Sequence, residues 1–521
     1  MKTKFFLLIT IIILGLIIPV TKAQTLYSNY LLNPMNNWTG GTSIFSKNDT
    51  SYFTAIGGGV NFYTDKAMLI GKLGQKGEIT YQKAYQESFA HYYPGRGGFY
   101  PIGDSSYVVI GTRRLSNIDK GFIFKLDYNF DTIFTKFFMV DTFQTTLRSI
   151  VILPNGEYML CGDIYHYINS EQGKSDGIFL YKTDSLFNLQ WYRIFKPDEI
   201  NYGFSVNQTT DNGYVISGYT NSKTDYSGEP LVIKTDSLGN QEWIWQDGSI
   251  YDDLQAITSI SNDGNILIAY GHATYQAPPY PVPSSLTQIR VVKMDNNGNE
   301  LWTRDYGESI MWNQVLTITH LPDNTYLIGG DTWINDTSSY GWGYSKAFLL
   351  KINEYGDSLW MRYYINEDEF GSQYNLFSYA NTSLDNNILF IGSSVNFFNP
   401  TSAYSMWIMH LDSLGCDTPE CNPFVGVKKP GIMKEGNIRL FPNPANQYIE
   451  ITIPEEYISG NISNPIVKIY AMNGKLVQES IPDYQGFSYI CNTQALKPGI
   501  YFVQLIDRNC ILGSGKLLII R

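Results

Sequence analysis

The chain has 521 residues, a formal net charge of −11, 15% aromatic residues with 40 tyrosines, and only 16% charged residues. Such an acidic balance repels the phosphates of nucleic acids and of anionic membranes, which argues against both as partners. The Tyr-, Gly- and Asn-rich composition suits exposed β-structure with many tight turns.

At the N-terminus, Lys2 and Lys4 precede an apolar run over residues 5–20, followed by Thr21-Lys22-Ala23. A charged start, a short apolar core and small residues before a cut predict a secretory leader over residues 1–23, cleaved between Ala23 and Gln24. The run is too short for a comfortable membrane span, and no later run is long enough, so no transmembrane helix is expected. Loss of Lys2, Lys4 and Lys22 with the leader takes the net charge to −14.

A repeat organises the middle of the chain. Its fullest copy, residues 232–243 (VIKTDSLGNQEW), is an apolar strand, Lys234, Asp236, a turn with Gly239, then Trp243. Related copies place Lys72 before Tyr81, Lys125 before Phe134, Lys182 before Trp191, Lys293 before Trp302 and Lys351 before Trp360. A seventh carries His410 at the Lys position and has no aromatic strand after it. Successive anchors lie 53, 57, 52, 59, 58 and 59 residues apart. Each is preceded by two further strands around a polar turn, such as Asp211-Asn212-Gly213. Four strands per period, A to D, with tight turns at A–B and C–D, predict the blades of an all-β, seven-bladed β-propeller over residues 24–421. Residues 26–31, spaced before Tyr52 as Trp302 is before Tyr326, are expected to supply the missing strand of blade seven and close the ring.

The repeat resembles uncharacterised propeller repeats of secreted bacterial and archaeal proteins. More faintly it resembles quinoprotein repeats, in which Gly and Trp lock neighbouring blades; only that packing is carried over. Beyond Cys421, residues 422–436 read as a linker, with two Pro and three Gly among residues 422–437. Strand signals then resume over residues 437–521, with Asn473-Gly474 as a hairpin turn, and predict a small immunoglobulin-like β-sandwich. Leu440-Phe441-Pro442-Asn443-Pro444-Ala445, Ile469-Tyr470 with Asn473-Gly474, Leu496-Lys497-Pro498-Gly499-Ile500-Tyr501, and a final segment with Lys516 occur in that order. They resemble the type A C-terminal sorting domain of the Bacteroidetes type IX secretion system. The resemblance implies handling by that secretion machinery and its sorting protease, removal of the domain, and release or attachment to the outer cell surface.

Chemistry is sparse. His91, His166, His272, His320 and His410 lack the paired spacing of a zinc site, so no metal, cofactor or catalytic residue is expected. Cys416 with Cys421, and Cys491 with Cys510, are read as disulfide pairs, leaving Cys161 as a buried thiol. Asp-Ser-Leu and Asp-Thr-Ile tripeptides, at Asp131, Asp184, Asp236, Asp357 and Asp412, resemble a Bacteroidetes O-glycosylation sequence and also suit turns. The B–C loops are long and varied, and they share one face with the D–A loops. Tyr275, Tyr280, Trp333, Tyr340, Trp342 and Tyr344 on that face, with Asp252, Asp253 and Glu308, form the candidate site for a glycan or protein ligand. The expectation is a secreted or surface-attached, non-catalytic binding or adhesion module. The alternative is an extracellular carbohydrate-active hydrolase or lyase.

Overall fold

The computed structural model describes residues 27–520 apart from 32–37, 59–65, 167–174, 222–227, 248–250, 277–284, 335–343, 366–373, 396–404, 418–435, 453–464, 472–475 and the short stretches 49, 199, 310, 384–385, 486–487 and 508–509. The leader and its cleavage pair Ala23 and Gln24, and the linker up to residue 435, lie outside the described residues. No helix among the described residues is long and apolar enough to cross a membrane.

The first unit is a seven-bladed β-propeller. Blade one is Trp38–Lys47, Thr50–Gly58, Ala67–Leu73 and Ile79–Tyr85, each strand antiparallel to the next. Blades two to six repeat this pattern, starting with strand A at Ala90–Ile102, Gln144–Ile152, Ile200–Gln208, Ile257–Ile260 and Trp312–His320. Blade seven has three strands of its own, Tyr374–Thr382, Ile388–Val395 and Ser405–Leu411. Its fourth is Tyr27–Leu31, antiparallel to Ser405–Leu411.

The register explains why the seventh repeat looked incomplete. In blades one to six the repeat Lys of strand C faces the aromatic of strand D, as Lys72 faces Tyr81 and Lys234 faces Trp243. In blade seven His410 faces Tyr27. The missing aromatic is at the other end of the chain.

Burial follows the ring. Among the described residues, the buried apolar side chains of the propeller fall into seven clusters, each shared by two successive blades. The closing cluster joins Ile44, Phe53 and Leu69 of blade one to Leu389, Ile391 and Met406 of blade seven. Strand C is buried on both faces, as its continuous apolar run requires. Cys161 sits in the cluster between blades three and four, where burial pushes its thiol pKa up and keeps it unreactive.

The locks between blades come from the repeat. Gly239, at φ 78°, turns strand C into strand D in blade four, and a Cβ there would lie 2.6 Å from the Trp191 ring of blade three. Trp243 of blade four donates Nε1–H to the carbonyl of Asn296 in the next C–D turn at 2.9 Å. Tyr364 of blade six likewise donates to Gly415 at 2.8 Å. Within a blade, the repeat Lys reaches an acid of the A–B turn: Lys234 to Asp211 at 2.8 Å, Lys293 to Asp263 and Lys351 to Asp323 at 2.7 Å, and Lys182 to Glu157 at 3.0 Å. Asp184, Asp236 and Asp412 accept amide hydrogens two and four residues on, which fixes the C–D turn. Asp131 and Asp357 sit at the far end of that turn, so the five tripeptides do not occupy equivalent positions.

The second unit, from residue 426 onward, is a β-sandwich. One sheet runs Gly436–Asn437, Cys510–Ile519, Gly499–Asp507, Pro465–Ala471, Leu476–Ser480; the other runs Arg439–Phe441, Tyr448–Thr452, Ser488–Asn492, Asp483–Gln485. Ile449, Ile451, Val467, Ile469, Val503, Leu505 and Leu517 fill the space between them. Asn473 and Gly474 lie outside the described residues, between two strands that pair antiparallel. Cys416 is disulfide-bonded, and Cys421 lies outside the described residues. The expected Cys491–Cys510 link is corrected: Cys491 is a free, buried thiol. It points into the core from one sheet, with Sγ 3.3 Å from Ser480 Oγ, whereas Cys510 begins the last strand of the other sheet.

Removal of residues 27–31 leaves blade seven with an unpaired edge at Ser405–Leu411. The expected cost is about 3 kcal/mol or more, comparable with emptying a core position. Urea unfolding and size-exclusion chromatography check this; an unchanged midpoint without aggregation would refute closure by this strand.

Candidate functional site

Strand B of each blade runs toward the B–C loop, so residues late in strand B and residues of the D–A segment meet on one face. Between blades four and five this brings together Asp247, just past strand D, Asp253 of the D–A segment, and His272, late in strand B at Ile266–Gln276. The D–A segment is held by its backbone. Leu254 donates to the carbonyl of Gly271 and Ala256 to that of Gly218, each at 2.9 Å. Asp252 accepts from the Gly228 amide at 2.7 Å, which ties the segment to the start of strand C in blade four.

His272 Nδ1 lies 2.9 Å from Asp247 Oδ2 and 3.4 Å from Asp253 Oδ1. Arg290, held by a two-pronged contact to Asp305 at 2.7 and 2.9 Å, stands 3.8 Å from Asp247. Burial alone would lower the imidazole pKa, but the two carboxylates overcome it and raise the value to about 9. Asp253 is wholly buried, desolvation raises its carboxyl pKa as well, and its Oδ2 has no hydrogen-bond partner among the described residues. Oδ1 accepts from the Ala273 amide at 2.5 Å.

The cluster is an imidazolium between two carboxylates. The three residues offer ligand atoms within 4.8 Å of one another, the number of protein ligands in an open zinc site. A metal bound there would have to displace the proton that the two carboxylates favour on the imidazole. Sequence reading named Asp253 but missed its partners Asp247 and His272, because no motif spacing joins positions 247, 253 and 272.

The aromatic residues expected at this face are less concentrated. Trp333 is half-buried, its ring centre 5.1 Å from that of Tyr374 and 6.1 Å from that of Trp312, so it packs locally. Tyr275 and Tyr344 lie on strands B and C of blades five and six, while Tyr280, Tyr340 and Trp342 lie outside the described residues. Glu308 is exposed in its D–A segment. Asp252 and Asp253 are the two acids that the fold brings to the cluster or its border.

In the sandwich, the segment from Pro442 to Pro444 is stitched to the last strand. Asn443 donates Nδ2–H to the carbonyl of Lys516 at 2.6 Å and accepts from the Leu518 amide at 2.9 Å. Ala445 exchanges backbone bonds with Leu518 and Ile520 at 2.8 and 3.0 Å. After Pro498 and Gly499, Tyr501 donates back to the carbonyl of Lys497 at 2.7 Å. Residues 439–520 match the family described as secretion system C-terminal sorting domain. The C-terminal unit is such a sorting domain. The chain is therefore a type IX secretion substrate, exported to the cell surface or the extracellular space. What the sorting domain carries is the propeller.

No curated protein matches the chain. Among solved structures, the β-propeller domain of the Trilobed protease from Pyrococcus furiosus is similar at 8% identity and TM-score 0.38, over 75% of this chain and 98% of that one. Puromycin hydrolase aligns at 10% identity and TM-score 0.45, over 83% of this chain and 62% of that one. Pyrococcus horikoshii acylaminoacyl peptidase aligns at 9% identity and TM-score 0.40, over 82% and 60%. Likenesses this distant carry no argument about activity, and the ring rests on its own strand pairing.

The raised pKa of His272 makes its contribution to stability full below about pH 6.5 and lost as pH rises through about 9. Urea midpoints of the intact chain should fall across that window, and His272→Gln should flatten the fall. EDTA at pH 7 should leave the midpoint unchanged; a drop would mean that a metal holds the trio. In the sorting domain, Asn443→Ala should cost about 1–2 kcal/mol in the sandwich alone. Export measured in the native host should fall while the propeller's melting transition stays in place.

Proposed function

We propose that the propeller is a non-catalytic binding module for a glycan or protein, carried outside the cell by its sorting domain, with its contact surface on the B–C and D–A face. The observation that supports binding over turnover is the state of His272. Clamped by Asp247 and Asp253, it stays protonated at neutral pH and offers no free base. The same cluster sets a fixed group of charges beside the D–A segment of this face. Long B–C loops on a rigid ring leave this face free to specialise.

The hydrolase or lyase reading has one observation in its favour. Asp331, late in strand B of blade six, is buried, and desolvation raises its pKa to about 7, the range of a working acid.

Glycan and peptide arrays probed with the secreted chain separate the two. Retained ligand supports the binding module, and ligand consumed on the array overturns it. Glu308→Ala combined with Trp342→Ala should weaken retention at least tenfold with an unchanged circular dichroism spectrum. Equal retention would remove these loops from the contact surface.

A further inference from the structure

In blades one, three, four, six and seven, strand A carries a bulge of one residue: Thr42, Arg148, Phe204, Leu316 and Ser378. In blade two the bulge is enlarged. Four residues, Gly95-Arg96-Gly97-Gly98, stand between Pro94 and Phe99 where the facing strand has only Ile110. Strand A is the innermost strand of a propeller blade, so this finger enters the centre of the ring. Its neighbours belong to blades well apart. A Cβ on Gly95 would lie 3.1 Å from the carbonyl of Arg148 in blade three, and one on Gly97, at φ 59°, would lie 2.5 Å from the Tyr379 ring in blade seven. The glycines are needed because the finger is packed on both sides.

Arg96 is the one side chain that the finger carries. Protein surrounds it, yet the side chain keeps contact with solvent, as expected inside a central channel. It makes no ion pair or hydrogen bond with a described residue, although Asp331 of blade six and Arg148 of blade three are near enough to act on it electrostatically. Arg148 is already engaged. Its Nε lies 2.5 Å from Asp163 Oδ1, and its guanidinium covers the Phe204 ring at 4.8 Å. Asp331 is engaged through Oδ1, which accepts from the Phe377 amide at 2.5 Å. The Arg96 fork thus stands at the centre of the ring of an acidic protein, with its charged neighbours Arg148 and Asp331 each bonded elsewhere.

We propose that the centre of the ring is an oxyanion site in which the Arg96 guanidinium receives a compact oxyanion, either the carboxylate of an acidic sugar or free sulfate. This site goes beyond the loop-face reading and does not depend on it. Burial holds Asp331 partly protonated at neutral pH, so it discharges Arg96 only in part. Tyr379 packs against the finger at Gly97, and burial pushes the phenol pKa of Tyr379 and of Tyr100 further up.

Isothermal titration of the full secreted chain with sodium glucuronate, sodium sulfate and glucose, at constant ionic strength, tests the site. Binding of glucuronate alone supports it with an acidic sugar as the source, and binding of both salts supports it with a free oxyanion. Arg96→Gln should weaken the affinity at least tenfold and Arg96→Lys should retain part of it. The lysine variant keeps the test open if the glutamine variant does not fold. No heat with either salt, equal affinity in a folded Arg96→Gln chain, or glucose binding as tightly as glucuronate would overturn the proposal.

Discussion

The contact on which the ring depends is the aromatic of strand D laid against the C–D turn of the next blade. A four-stranded sheet of this size buries too little by itself to be stable, so each blade needs its neighbours. The turn supplies the seat: Gly239 leaves room for Trp191, and Gly415 for Trp360. Where the turn carries a large residue instead, it becomes part of the lock, as Phe187 does against Phe134 with ring centres 5.5 Å apart. Seven shared apolar clusters complete the circuit. The closing strand is then a requirement of the design, since without it blade seven keeps an open edge at Ser405–Leu411.

These locks all lie on the side of the A–B and C–D turns. The repeat Lys, the acid it reaches and the capped turn are there as well. One face of the propeller is therefore fixed by the residues that make the repeat recognisable, and those residues are used up in doing so. The opposite face, with its B–C and D–A segments, carries no such obligation. It is where Asp247, Asp253 and His272 meet, and where the loops differ most in length. The division separates what must recur from what is free to vary.

The same division explains how far the residues could be read in advance. Blade number, strand order and the borrowed N-terminal strand follow from a signal repeated six or seven times, and the sandwich from its own strand and hairpin signals. The match of His410 to Tyr27 was legible as spacing, because Tyr27 precedes Tyr52 as Trp302 precedes Tyr326. The His272 cluster was not legible, because its members come from two blades and are joined only by folding. The sandwich cysteines misled for a related reason. Proximity of Cys491 and Cys510 in the chain does not bring their side chains together, and Cys491 stays a free thiol beside Ser480.

One faint signal did mark the level of the ring at which polar side chains gather. Strand B carries Gly111-Thr112, Gly162-Asp163, Gly218-Tyr219, Gly271-His272, Gly330-Asp331 and Gly392-Ser393. The glycine is dictated by close approach: a Cβ on Gly162 or Gly330 would stand 1.9 Å from a strand A carbonyl. The residue after it faces no such limit, and its chemistry changes from blade to blade. Thr112 and Asp331 both accept an amide from the next blade, at Leu147 and Phe377, whereas Asp163 holds Arg148 and His272 joins two carboxylates. A position fixed in space by its neighbour yet free in identity is where a repeat fold can acquire chemistry without losing its shape. In this ring that position lies beside the strand A bulges, so polar side chains and the Arg96 finger are gathered at one level around the centre.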